Sequence, residues 1–219
     1  MMVRQTFHHE LTDLEQELIR MGALVEDQLR RAVRSLTEHD VILAHQVIRD
    51  DDRVDAMEMD IERRCLTLLA LQQPLASDLR VVSTVLKIIT DLERMADHAS
   101  DIAKVTVRLN QEPLIKPLVD IPEMARLTSS MVRLALNAYI HRSIEEALTM
   151  IRLDDDVDHL YARVFRELLE IMRGQPEAVA QGTYLLFVAN YIERVADHAT
   201  NLGEWVIYMV TGRRQELNQ

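Results

Sequence analysis

The sequence predicts an all-α protein of six long helices, arranged as two tandem antiparallel three-helix bundles. The 219 residues include only five glycines and five prolines, so few positions suit the tight turns that sheets require. Apolar residues recur at alternating steps of three and four, the spacing of a helix packed on one side. Residues 93–100 also recur, with small changes, at 193–200, which indicates an internal repeat.

The first predicted helix has a continuous apolar stripe. Its members alternate in steps of three and four along about seven turns, as a helix packed against neighbours requires. They are Leu11, Leu14, Leu18, Met21, Val25, Leu29, Ala32 and Leu36.

Five breaks in the periodicity separate the six predicted helices. Each contains proline or a cluster of turn-forming and polar residues. They lie at 38–40, 72–74, 110–117, 141–143 and 173–176. After the second break, Ser77 is expected to act as an N-cap for the third helix.

The same order of motifs occurs in both halves of the chain. DDRVD at 51–55 matches DDDVD at 154–158, and ERMADHAS at 93–100 matches ERVADHAT at 193–200. The proline-containing segment at 113–117 is the natural joint. We therefore expect one three-helix repeat in residues 1–112 and a second in residues 113–219.

Composition excludes several classes of protein. The single cysteine, Cys65, cannot form an intrachain disulfide, and no signal peptide is recognisable, so we expect a cytoplasmic protein. No window approaches the roughly 20 apolar residues that span a bilayer, so membrane association is expected only through partners. The net charge of −11 argues against nucleic acid as a partner, while it is compatible with cations.

Acidic residues lie on the apolar side of the third predicted helix. At 100° per residue, Leu86 and Ile89 lie within roughly 40° of Glu93, and Asp97 follows on the same line. Glu193 occupies the equivalent place in the second copy. An acid in this position is not the pattern of an ordinary exposed helix face.

Positions equally far from the turn of an antiparallel hairpin lie at the same height, because both helices rise about 1.5 Å per residue. Asp55 and Glu93 are each 19 residues from Pro74, and Asp51 and Asp97 are each 23 residues from it. The two pairs are therefore predicted to face each other.

The second repeat has the same relation about a point between residues 175 and 176. There Asp158 is matched with Glu193, and Asp154 with Asp197. Each bundle is thus predicted to group four carboxylates, which must be solvated, protonated, paired with arginine or bound to cations. The repetition favours cations over an ordinary solvated acidic face.

Neighbouring basic residues are not expected to complete these groups. Arg94 and Arg194 directly follow the glutamates, and one residue turns a helix by about 100°, so both are predicted to be weak partners of the acids. His98 and His198 point about 140° from the glutamates and are expected to support or pack rather than ligate.

Ligation by oxygen alone suits hard cations such as Mg²⁺, Ca²⁺, Mn²⁺ or ferric iron better than tetrahedral zinc. The chain lacks the Glu-x-x-His motif of carboxylate-bridged di-iron bundles. A carboxylate-bridged oxidase or phosphatase and a metal-free, dimerising scaffold remain as alternatives.

QQPLASDLRVV at 72–82, DLERMADHASDIA at 91–103 and YIERVADHATNL at 191–202 resemble the PhoU family of phosphate-specific transport system accessory proteins. The resemblance covers nearly the whole chain and implies two three-helix bundles with E/D-x-x-x-D metal motifs. It implies bound iron, manganese, magnesium, calcium or zinc. The ligands that it implies are Asp51, Asp55, Glu93, Asp97, Asp154, Asp158, Glu193 and Asp197.

The two copies differ one turn beyond the motif. Asp101 extends the first motif, whereas Asn201 stands at the equivalent position of the second. We include both among the expected metal ligands, and the two sites need not bind alike.

The resemblance also implies a function. It implies a non-enzymatic cytoplasmic regulator that restrains phosphate uptake and the phosphate-starvation response. The implied partners are the ATPase of the phosphate ABC transporter and a sensor histidine kinase, and we expect a homodimer. The chain lacks a P-loop and a nucleophile elbow, consistent with this expectation. Arg80 is either a partner contact or an ordinary helix-surface residue.

Overall fold

A computed structural model of the chain describes residues 2–110 and 113–217, which form six α-helices and no strand. The predicted all-α fold is therefore confirmed. A single 3-10 turn, Pro176–Ala178, precedes the last helix. The helices are α1 (Met2–Glu38), α2 (Val41–Gln72), α3 (Ser77–Leu109), α4 (Asp120–His141), α5 (Ile144–Gly174) and α6 (Val179–Thr211).

The helices end at the predicted breaks. Asp40 caps α2 by accepting a hydrogen bond from the backbone N–H of Leu43 at 2.9 Å. Ser143 caps α5 by accepting one from the N–H of Glu146 at 3.2 Å. Each cap satisfies a donor that the first turn of a helix leaves unpaired. Residues 111 and 112 of the predicted linker lie outside the described part of the chain.

The prediction that Ser77 caps α3 is wrong. Ser77 is already the first helical residue, and Ala76 occupies the cap position without a side-chain hydrogen bond. Ala76 and Gln73 both have positive φ, 48° and 45°, so the chain reverses in two left-handed steps before the helix starts. Sequence propensity does not anticipate an alanine in that conformation.

The stripe predicted for α1 is buried as expected. Every one of its eight residues is at most 6% exposed, and together they form part of one apolar core that extends through both halves of the chain. The hydrophobic effect of this burial is the main source of helix stability here, since most isolated helices are marginal in water.

Two bundles, α1–α3 and α4–α6, lie side by side and pack through α3 against α6 and through α1 against α4. Both contacts are antiparallel. Arg80 near the start of α3 reaches Met209 near the end of α6, and Arg108 near the end of α3 covers the ring of Tyr184 near the start of α6. The repeat boundary between residues 112 and 113 stays a prediction.

Arg80 serves this junction between the bundles. Its Nε donates to the carbonyl oxygen of Met209 at 3.2 Å, and its side chain lies beside Gly212, where α6 ends with φ 73°. A cation at the negative end of a helix satisfies free carbonyls and is favoured by the helix dipole. Within the described residues, Arg80 is therefore an internal contact between the two bundles.

Among the described residues, no helix is both long enough and apolar enough to cross a bilayer.

Replacement of Gly22 by valine is expected to destabilise the packing of α1 on α4. A Cβ atom at Gly22 would lie 2.6 Å from Leu136 Cδ1, so Leu136 would have to repack, at a cost of about 1–3 kcal/mol. Gly174→Val is the matched control, because a Cβ atom there meets nothing within 4 Å. Urea unfolding of the two variants checks this, and equal midpoints would contradict the close packing.

Candidate metal centres

The first group of acids lies between α2 and α3. Burial raises the pKa of Asp51, and the negative charges of Asp97 and Asp55 raise it further. Burial also raises the pKa of Glu93, followed by the charges of Asp97 and Asp55. Carboxylates influence one another in this way only at short range. The structure therefore brings Asp51, Asp55, Glu93 and Asp97 together, at the heights expected from the hairpin.

The second group lies between α5 and α6 in the same arrangement. The pKa of Asp154 rises to about 6, first through burial and then through the charges of Asp158 and Asp197. Burial raises the pKa of Glu193, and Asp197 contributes next. Desolvation and like-charge repulsion act in the same direction on these acids. Thus all eight principal carboxylates fall into the two predicted groups.

Hydroxyl groups from the helix behind the acids differ between the copies. Thr200 Oγ1 lies 3.4 Å from Asp154 Oδ1 and donates to it. In the first copy Ser100 stands at the equivalent position, and its hydroxyl is near enough to lower the pKa of Asp51. Neither Ser100 Oγ nor the buried Asp51 Oδ1 has a partner with hydrogen-bond geometry among the described residues. A buried acceptor without a partner is costly, and a cation would satisfy it.

The prediction that Arg94 and Arg194 would be weak partners of the acids is wrong. Arg94 donates to Asp97 at 3.0 Å and also lies 3.3 Å from Glu93. Arg194 reaches Asp197 at 3.4 Å. The prediction considered only the direction of the Cα–Cβ bond. The long arginine side chain bends along the helix and reaches the acid three residues later.

The extension residues point elsewhere in this structure. Asp101 pairs with Lys104 at 2.8 Å, and Asn201 donates its side-chain N–H to Asp91 at 3.3 Å. Neither contact involves the two acidic groups. Ligation by Asp101 and Asn201 stays a prediction that would require a change of side-chain rotamer.

The two histidines meet where α3 and α6 cross. The rings of His98 and His198 are 5.9 Å apart, and His98 stacks on Tyr191 at 5.6 Å. His198 Nδ1 lies 2.9 Å from Asp91 Oδ1. Burial and the neighbouring His198 lower the pKa of His98. Their expected supporting and packing role agrees with these contacts.

Two acids beside the groups were not anticipated. Glu58 lies one turn after Asp55, and burial raises the pKa of Glu58. Glu58 is also among the charges that raise the pKa of Glu93. Glu58 could have been predicted from the sequence, because it follows Asp55 by one helical turn. The contacts of Asp91 with His198 and Asn201 could not, because they depend on how α3 packs on α6.

The donor set fits a hard cation, although the side chains are not arranged around one. Within the described residues, no group of three or more histidine, cysteine, aspartate or glutamate side chains is positioned to hold a metal ion. Each group nevertheless supplies four carboxylates, the ligands that Mg²⁺, Ca²⁺ and Mn²⁺ prefer. Ligation would therefore require these side chains to turn inward, and the metal sites stay a prediction.

The chain was compared with known protein families and structures. The model of the PhoU domain family matches twice, at residues 18–106 and 121–206. The PhoU homolog of Clostridium acetobutylicum, named a phosphate-specific transport system accessory protein, is 42% identical over 99% of this chain and all of that protein. A homolog of the same name from Aquifex aeolicus is 39% identical over 93% of this chain and 92% of its own length.

Solved structures agree with these matches. The crystal structure of PhoU from Pseudomonas aeruginosa superposes with a TM-score of 0.91 at 36% identity, covering 94% of this chain and 100% of that one. The phosphate transport system regulatory protein PhoU from Streptococcus pneumoniae gives 0.89 at 32% identity, covering 95% and 99%. Matches of this extent in both repeats show that the chain belongs to the PhoU family.

Proposed function

We propose that this protein is a cytoplasmic regulatory adaptor of phosphate homeostasis. In this proposal it restrains uptake through the phosphate ABC transporter and restrains the phosphate-starvation two-component response. The observation that carries the proposal is family membership over nearly the whole chain, since relatives are named accessory or regulatory proteins of phosphate transport. The proposed contacts are the transporter ATPase and the sensor histidine kinase.

The proposed role is non-enzymatic. The chain has no P-loop and no nucleophile-elbow motif. Its one cysteine, Cys65, is buried, and burial raises the pKa of this thiol to about 12, which keeps the sulfur protonated and unreactive. Both features support an adaptor that acts by binding.

We further propose that the two acidic groups bind divalent or ferric cations. A cation would neutralise carboxylates on two helices at once, and would thereby hold α2 to α3 and α5 to α6. This change in charge and rigidity offers a route by which metal occupancy alters the surface that a partner meets. The proposed homodimer is tested by light scattering of the purified protein.

Binding of the partners is expected to depend on the acidic groups. Affinity purification from phosphate-replete and phosphate-starved cells, with wild type and an Asp97→Ala plus Asp197→Ala variant, checks this. The variant is expected to recover less ATPase and kinase, because one carboxylate is lost from each group. If the wild type recovers neither partner in either condition, the adaptor proposal is contradicted. If wild type and variant recover equal amounts of both partners, partner binding does not depend on the acidic groups.

Metal content is expected to follow the half-buried carboxylates of the acidic groups rather than total acidity. Elemental analysis of protein purified without chelator should show less bound metal for Asp154→Asn plus Asp197→Asn than for the wild type. Asp156→Asn plus Glu170→Gln is the control, since it removes two exposed acids of the same helix region. The absence of stoichiometric metal from the wild type would favour the metal-free scaffold.

The metal-free protein is expected to lose stability as Asp154 ionises. Its native pKa is about 6, above the ordinary 3.8, so the native state holds this proton more tightly than the unfolded state does. The contribution is complete below about pH 4 and is lost as the pH rises through 6. In chelator, Asp154→Asn should therefore melt at a higher temperature than wild type at pH 7 and at a similar temperature at pH 4.

Asp156→Asn serves as the control, because Asp156 is exposed. A melting-temperature difference between wild type and Asp154→Asn that does not change between pH 4 and pH 7 would argue against repulsion at this carboxylate.

A further inference from the structure

A groove between α1 and α4 is lined by four arginines. Arg30 and Arg34 come from α1, and Arg126 and Arg133 come from α4. The groove encloses about 570 Å³, within the range of small-molecule sites. Glu26 is the one acidic residue among the described residues that line it. The lining therefore carries more positive than negative side chains, in a chain whose net charge is −11, and Asp27, Glu38 and Glu123 lie beside three of its arginines.

Helix geometry explains why the arginines converge. Arg30 and Arg34 are four residues apart, and Arg126 and Arg133 are seven apart, so each pair lies on one face of its helix. Because α1 and α4 run antiparallel, the two faces form opposite walls of the groove. A ligand between them would meet guanidinium groups from two sides.

The remaining lining suits a polar ligand with a small apolar part. Val33 and Ala125 contribute apolar surface, and Thr37, Ser129 and Ser130 contribute hydroxyl oxygens. The hydroxyls of Thr37 and Ser130 already donate to the carbonyl oxygens of Arg34 and Arg126 in their own helices. The guanidinium groups are therefore the main donors that an anionic oxygen would meet.

Each arginine has a nearby acid as its present partner. Arg30 pairs with Asp27, and Arg126 makes two hydrogen bonds to Glu123 at 2.8 and 2.7 Å. In both pairs the side chains are more than one-third exposed. Exposed ion pairs between neighbouring turns contribute little stability, so these guanidinium groups can turn to a ligand at small cost.

The other two arginines form one loose ion pair and one ion pair that spans the groove. Arg34 lies 3.7 Å from Glu38, a loose and exposed contact. Arg133 bridges from α4 to Glu26 on α1 at 2.9 Å and so crosses the groove. This bridge limits the length that a ligand can occupy, which favours a compact molecule over a long acidic helix of a partner protein.

The overall negative charge does not prevent an anion from binding here. Charges separated by more than about 8 Å are largely screened at physiological ionic strength. The groups that line the groove therefore act most strongly on a ligand within it. Arginine is also the side chain best suited to phosphoryl oxygens, because its planar fork donates two parallel hydrogen bonds.

We propose that this groove binds a small polyanion that carries two or more phosphoryl groups. Arg30 and Arg34 contact the ligand from the α1 wall, and Arg126 and Arg133 contact it from the α4 wall. The site is separate from the carboxylate groups, which lie on other helix pairs, and it does not depend on the function proposed above.

Isothermal titration with pyrophosphate and tripolyphosphate tests this site, with citrate as a carboxylate of comparable charge. Arg30→Gln plus Arg126→Gln removes one cation from each wall, and the dissociation constant is expected to rise at least about tenfold. The matched control is Arg63→Gln plus Arg173→Gln. The control removes the same number of positive charges, and its arginines also form exposed ion pairs, Arg63 with Asp60 and Arg173 with Glu170. The control should change affinity less than about twofold.

A gain of affinity provides a second test that does not depend on loss of function. Glu26→Gln removes the acid that lines the groove and frees Arg133, so pyrophosphate should bind several-fold more tightly. Thermal unfolding of every variant verifies that it is folded. Binding should also weaken as salt is raised, because the contacts are ionic.

Four results would overturn the proposal. The first is no heat of binding at about 1 mM pyrophosphate in low salt, and the second is an equal loss of pyrophosphate affinity in the groove and control variants. The third is citrate binding as tightly as pyrophosphate. The fourth is loss of pyrophosphate binding in the Asp97→Ala plus Asp197→Ala variant. The last would place the anion on metal held by the carboxylate groups. None of the four bears on the adaptor role, which partner recovery tests separately.

Discussion

The antiparallel packing of α3 on α6 is the contact on which the rest of the molecule depends. The contact of His198 with Asp91 and of Arg80 with Met209 then fixes the two helices relative to each other. Because both helices are rigid, this one interface also sets the positions of the acidic residues that α3 and α6 present to α2 and α5.

Each acidic group is a local conflict between packing and charge. The apolar stripe that buries α3 and α6 also draws their acids partly out of water, where each carboxylate raises the cost of ionising its neighbours. Without metal the conflict is reduced in two ways visible here, by arginines that reach along the helix and by a greater tendency to hold protons. A cation would remove the repulsion between carboxylates on both helices at once. Protonation removes the repulsion only by neutralising the carboxylate, and an exposed ion pair requires a long arginine side chain to be held in one conformation.

Much of the architecture could be predicted because helix geometry is local and regular. The α1 stripe and the matched heights of the acids follow from 3.6 residues per turn and a fixed rise, and the five breaks follow from proline and turn-forming residues. The prediction failed where the result depended on side-chain rotamers or special backbone angles, as with Arg94 and Ala76. It had no access to the Asp91 contact or the arginine groove, because these depend on how one bundle lies against the other.

The two copies of the repeat differ in charge beside the acidic groups. Lys104 in the first copy pairs with Asp101 and lowers the pKa of Asp51, partly opposing the effect of burial. Its counterpart in the second copy is the buried Glu204, which accepts the backbone N–H of Leu217 at 2.8 Å and lies 3.5 Å from Arg214. Burial, followed by the charges of Asp158 and Asp197, raises the pKa of Asp154 to about 6. Protons would therefore compete with a cation for the second group close to neutral pH, whereas the first group has Lys104 and the additional acid Glu58. The two groups are chemically unequal, and a cation bound at both would respond to pH to different extents.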